Sequence, residues 1–239
     1  MITVKDELEK RKKDIDSYYS LLYLIEKCET HKGVNICIDS DKKTQVIVDD
    51  VMHKCIKANS IILLYNSVES TISNCIISIC DAINDSNIKY NDLSDAFQKI
   101  FRNKFFNKEI THTTARKKAE ELLKHVVNNK KINMPNIDFS ISGNIDLRKI
   151  IEICKAIDVK LGKIPNKDKV SNTLLNIKNT RNELAHGIKS FGDIGALVVL
   201  SDLNDYKETI YGFLEYIIEI FISFIQDKKF MSNKKTIKI

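Results

Sequence analysis

In the stretch NTRNELAHGIKSFGDIG, from Asn179 to Gly195, three side chains are able to do chemistry together: Arg181, Asn182 and His186. Histidine gains and loses a proton near neutrality. A guanidinium is always charged and meets anionic oxygens with a planar fork of N–H donors. Leu174, Ile177, Leu184 and Ile188 recur at helical spacing, and Arg181 stands in the middle of that apolar stripe. At ~100° per residue, Asn182 and His186 share one side of the helix, while Arg181 is turned from His186 by about 140°. Arg181 and His186 therefore point to different walls of a groove. Glu183 faces away from the core and is given no chemistry.

An arginine on a core face cannot shed its proton, so it needs a partner. The best carboxylate is Glu69, in LLYNSVES, which flanks Val68 and Ile72 on another strongly apolar segment. Tyr65 lies one helical turn before Glu69 on the same side, and Asn66 follows it. A bidentate contact from Glu69 would hold Arg181 at the edge of the core with its guanidinium aimed into a cleft. The same residues also admit an architectural reading, with a buried ion pair and a histidine resting on a helix end.

Between Lys99 and Lys131, ten lysines and arginines face three acids, a local balance of +7 in a chain whose total is +6. Such a belt can collect a phosphate backbone by releasing counterions, and Arg116, Lys117 and Lys118, joined by Lys189 beside the Arg–His helix, are the candidate contacts for RNA. A solvated helical face is the plainer reading of the belt. The six cysteines form no C-x-x-C pair and have no histidine at zinc-ligand spacing, so each is expected to be a reduced, structural thiol. No metal and no cofactor is expected. The N-terminus is rich in Lys and Glu, and the most apolar run, from Phe213, is too short for a bilayer and contains Glu215 and Glu219. A cytoplasmic protein is expected.

Only two prolines and seven glycines in 239 residues, with 43% hydrophobic and 29% charged residues, favour an all-α fold of long helices. No repeat or linker divides the chain, which reads as one domain over 1–239 with a core at about 50–230. Helices are expected from Val4 to Glu29, from Asp50 to Asn84, after an N-cap at Asn91 or Asp92, over THTTARKKAEELLKHVVNN, from an Asp146 cap to Ile157, and from Val170 to His186 with Gly187 as its C′ residue. GVNICIDSDKKTQVIVDD, rich in β-branched residues around Asp-Lys-Lys, predicts a short hairpin. Gly192 and Gly195 are placed in a loop. The last helix, starting at Ser201 and Asp202, is apolar nearly all round from Phe213 and belongs in the centre or at a subunit interface.

RNELAHG followed by SFGDIG, with LLYNSVES upstream and SGNID between them, resembles the HEPN superfamily, and within it the MAE-like branch of prokaryotic conflict and defence loci. The likeness covers roughly Ser60 to Ile225. It implies a four- or five-helix bundle, usually a homodimer in which two Arg–His helix ends meet across one composite cleft. It also implies metal-independent RNA cleavage by Arg181, His186 and Asn182, supported by Glu69, Tyr65 and Asn66. One histidine would take the proton of the ribose 2′-OH, its symmetry mate would give one to the leaving 5′ oxygen, and the arginine would stabilise the phosphorane oxygens. Products would carry 2′,3′-cyclic phosphates. The activity expected is that of a toxin or anti-phage effector, restrained by an antitoxin or sensor protein. Two positions depart from the pattern. Ile188 stands where the branch paired with nucleotidyltransferase antitoxins has Tyr, and Ala196 where similar sequences often have Arg. A non-catalytic HEPN-like module that binds RNA or protein is the alternative, and a purely structural subunit is the third reading.

Overall fold

The computed structural model describes residues 2–27, 34–37, 45–103, 112–128, 130–137 and 139–232. Its elements are α1 (Ile2–Lys27), β1 (Val34–Cys37), β2 (Gln45–Val48), α2 (Asp50–Asp85), a 3-10 turn (Tyr90–Asp92), α3 (Asp95–Asn103), α4 (His112–Val127), α5 (Leu147–Ala156), α6 (Lys167–Ala185), α7 (Phe191–Leu197) and α8 (Leu200–Gln226). The all-α expectation holds, with the small hairpin present: β1 and β2 pair antiparallel, Val34 opposite Val48.

The 36-residue helix α2 is the axis of the molecule. Asp49 caps it, its carboxylate accepting from Met52 N–H at 2.8 Å. Its stripe of Ile61, Leu64, Val68, Ile72, Cys75, Ile76 and Ile79 is buried throughout, as the helical period requires. Around it pack α1, α6, α7 and α8. α8 is central: Phe213, Leu214, Ile217, Ile218, Phe221 and Phe224 are all buried. The two acids within its apolar half face outward, where Glu215 meets Lys12 and Glu219 meets Lys5 of α1. No helix among the described residues is long and apolar enough to cross a membrane.

Three expectations change in detail. Asp92 does not cap a helix; its carboxylate accepts from Lys89 N–H at 2.9 Å and closes the 3-10 turn, and α3 starts at Asp95. The segment holding Gly192 and Gly195 is helical, as α7, because Ser190 and Asp193 form a reciprocal capping box that starts it. Gly195 is a packing residue rather than a breaker, since a Cβ there would lie 1.9 Å from Lys54 O. Ile188, counted in the apolar stripe of α6, lies past the end of the helix and is 69% exposed. Of the cysteines, Cys75, Cys80 and Cys154 are buried free thiols, and burial pushes Cys75 and Cys154 up to about 12. Cys28, and Lys104, Lys108 and Glu109 of the basic belt, lie outside the described residues.

Candidate functional site

α6 ends where its sequence predicts. His186 is the C-cap residue, and Gly187 takes φ +67°. Gly187 N–H bonds Leu184 O at 3.2 Å and Ile188 N–H bonds Glu183 O at 2.9 Å. These two bonds form the Schellman turn that closes a helix through a left-handed residue, which favours glycine. The His186 side chain is exposed at this tip.

Arg181, one turn back and half-buried between Ile177 and Leu184, is held from three sides. Its Cζ lies 5.3 Å from the centroid of the Tyr65 ring, within cation–π range. Its Nη1 donates to Asn182 Oδ1 at 3.1 Å. Gly143, at φ +73°, closes the third side: a Cβ there would stand 2.9 Å from Arg181 Nη1. The left-handed backbone favours glycine here, and any larger residue would press on the end of the guanidinium.

Arg181 and Glu69 do not make the direct ion pair that spacing suggests. The loop before α5 runs between them. Glu69 Oε2 accepts from Gly143 N–H at 3.2 Å. Tyr65 Oη in turn accepts from Ile145 N–H at 3.3 Å. Glu69 and Tyr65 thus hold the loop, and the loop walls the arginine. Burial, with the Glu69 charge adding to it, pushes the Tyr65 hydroxyl up to about 12 against the opposing effects of Ile145 N–H and Arg181. It stays protonated at neutral pH, which does not suit a base.

A second clamp was not legible in the spacing. Asp146 caps α5 through Lys149 N–H at 2.9 Å, and its other oxygen meets Lys178 Nζ of α6 at 2.5 Å. Burial opposes the Asp146 charge, yet Lys178 and Lys149 N–H outweigh it and hold the carboxyl below its ordinary range. Residues 143–146 are therefore tied to α2 by Glu69 and Tyr65 and to α6 by Lys178.

The remaining candidates are dispersed. Asn66 is exposed on α2 and takes no part in the network. Lys189 is half of an ion pair with Glu183 at 3.0 Å, so Glu183 braces the turn after His186. Arg116 pairs with Glu120 of its own helix at 3.3 Å, Lys117 is exposed and Lys118 half-buried. Their helix, α4, rests on the Tyr90–Asp92 turn. Around the tip, Ile188, Phe191, Leu197 and Val199 are exposed, and Gly195 seats α7 on the first turns of α2, where Val51 and Met52 are exposed too. Among the described residues no group of three or more His, Cys, Asp or Glu side chains could hold a metal ion.

The model of the MAE-like HEPN family matches residues 2–230, nearly the whole chain. The chain belongs to the HEPN superfamily. No curated protein and no solved structure matches it significantly. The match begins at residue 2, so α1 is part of the HEPN domain, in agreement with its buried Val4, Leu8, Ile15 and Leu22. HEPN domains are often ribonucleases, and in this HEPN domain the R-x4-H motif of Arg181 and His186 lies on the last turn of α6.

Proposed function

We propose that this HEPN domain is a metal-independent RNA endonuclease acting as a toxin or anti-phage defence effector. One observation carries the reading: a guanidinium immobilised by Tyr65, Asn182 and the Gly143 backbone sits one turn from an exposed imidazole on the same helix end. In the reaction, His186 takes the proton of a ribose 2′-OH as that oxygen attacks the adjacent phosphorus. The bond from phosphorus to the 5′ oxygen breaks, and the leaving oxygen receives a proton from a second, protonated imidazole. The products are a 2′,3′-cyclic phosphate and a free 5′-OH. Arg181 stabilises the charge that builds on the non-bridging oxygens, in a position fixed before substrate arrives. Asn182, bonded to Arg181, orients the pair or meets a phosphate oxygen.

The second imidazole comes from a second copy of the chain. The exposed Ile188, Phe191, Leu197 and Val199 beside the tip supply the apolar surface for that contact, or for an antitoxin or sensor that covers it. The same surface favours the alternative, a non-catalytic HEPN module whose tip docks a protein.

Purified protein incubated with total RNA, with the new ends mapped chemically, tests the reading. The wild type is expected to produce 2′,3′-cyclic ends with or without a chelator. His186→Ala is expected to lose on the order of 10²–10⁴-fold in cleavage rate with unchanged circular dichroism and unchanged oligomeric state. Cleavage that needs a divalent ion, or that survives both His186→Ala and Arg181→Ala, overturns it.

A further inference from the structure

At the other end of α6 the chain builds a second concavity. The helix has 19 residues, so its two ends lie roughly 28 Å apart at about 1.5 Å per residue. There α5 and the connection 157–166 shape a cavity of ≈ 730 Å³, the size of an ordinary small-molecule site. It shares no residue with the Arg181–His186 tip.

The lining is two-sided in chemistry. Ile151, Cys154, Val159 and Ile164 give it an apolar floor. The Cys154 thiol, pushed up to about 12 by burial, is part of that floor and not a nucleophile. The rim carries Lys155, Lys160, Lys163 and Lys167, all exposed, against the one acid Asp158. Neighbouring lysines are neutralised, Lys149 by Glu152 at 3.1 Å and Lys169 by Asp205 at 2.5 Å. The four rim lysines have no carboxylate within 4 Å among the described residues. Four like charges around a small hollow repel one another unless an anion joins them.

The connection is preshaped. It turns through the left-handed region at Asp158 (φ 56°), Gly162 (φ 62°) and Asn166 (φ 46°). Val159 N–H bonds Cys154 O at 2.8 Å, and the Tyr216 hydroxyl of α8 donates to Leu161 O. Asn166 lines the cavity and precedes α6 without a side-chain cap bond, so the first-turn N–H groups of that helix are not taken by its carboxamide.

We infer that this cavity binds a small organic phosphate, its apolar ring or chain on the Ile151–Val159–Ile164 floor and its dianionic phosphate among Lys155, Lys160, Lys163 and Lys167. A bare phosphate would leave the floor wet, and a neutral apolar molecule would leave the lysines uncompensated. The inference stands apart from the nuclease reading, because none of these residues belongs to the tip.

1-Naphthyl phosphate, titrated into the full chain by calorimetry and mapped by amide chemical shifts, is the probe. Saturable binding at one site is expected, with shifts at residues 151–167 and weakening as salt rises. The triple variant Lys160→Ala/Lys163→Ala/Lys167→Ala, altered only at exposed side chains, should bind about tenfold more weakly or worse. His186→Ala and Lys117→Ala/Lys118→Ala should bind as the wild type does. The inference is overturned if the folded chain shows no saturable binding, if the triple variant binds equally well, or if inorganic phosphate competes as effectively as the ester. These outcomes are independent of whether RNA is cleaved.

Discussion

The last turn of α6 and the basic face of α4 both offer cations that can meet phosphate, and they are constructed in opposite ways. At the tip, a single guanidinium is enclosed by a tyrosine ring, a carboxamide and a loop backbone, the ring and the loop each fixed by a further partner. On α4, Arg116 and Lys117 stand in solvent, and Arg116 pairs with Glu120 on the next turn. A positioned charge can favour a transition state over a ground state, whereas a mobile charge in water attracts both alike. The tip is suited to chemistry and the α4 face to capture.

Substitutions can break that contrast. Arg181→Ala removes the fixed charge, and single-turnover cleavage of RNA should fall on the order of 10²–10³-fold. Arg181→Lys should recover little of this, because an ammonium cannot reproduce the planar fork; a Lys variant cleaving at the wild-type rate would show that charge alone suffices. Gly143→Ala leaves both chemical groups in place but strains a residue at φ +73° and drives a methyl towards Nη1. Its rate should drop by up to ~10²-fold through displacement alone, with a urea-measured stability loss of about 1 kcal/mol or more. An alanine variant with full activity would mean that the close approach has no functional weight.

Smaller effects sharpen the picture. Asp146→Asn keeps an oxygen able to cap α5 but loses the charge that meets Lys178, and should cost about 1 kcal/mol at neutral pH. Because the folded carboxyl is held below its ordinary range, its stabilisation is complete above that range and is lost as pH falls through the lowered value. The gap between variant and wild type should therefore close in acid; a gap that is constant with pH contradicts the ion pair. Lys117→Ala/Lys118→Ala should leave the rate at saturating RNA untouched. Its effect should be confined to affinity, with the salt slope flatter by ~1–2. A change in the saturated rate would bring α4 into the chemistry.

Much of this arrangement was legible in the chain itself. The apolar periods of α1, α2, α6 and α8 and the Gly187 stop are local properties, as are the Asp146 cap and the β-branched hairpin. What escaped is what depends on a third segment. Glu69 and Arg181 do lie at one place, but the ion pair inferred for them could not anticipate Gly143, 74 residues from Glu69, threading between the two. The helix α7 read as a loop because glycine counts against helix, while tertiary contact with Lys54 selects glycine for its missing Cβ. Lys189 read as a free cation until the chain reversal brought it back to Glu183. Periodicity reports the face of an element, and it is silent about which strand of loop will lie across that face.

The backbone contact at Gly195 has a consequence for His186. Upstream of the histidine the main chain is locked in α6, and nine residues after it, at Gly195, α7 rests directly on the peptide of Lys54. With the connecting bend tethered at both sides, the imidazole can explore only its own two torsions. Ordering it around a bound phosphodiester thus forfeits the entropy of those two torsions and almost none from the backbone. The histidine can swing freely without ever wandering far.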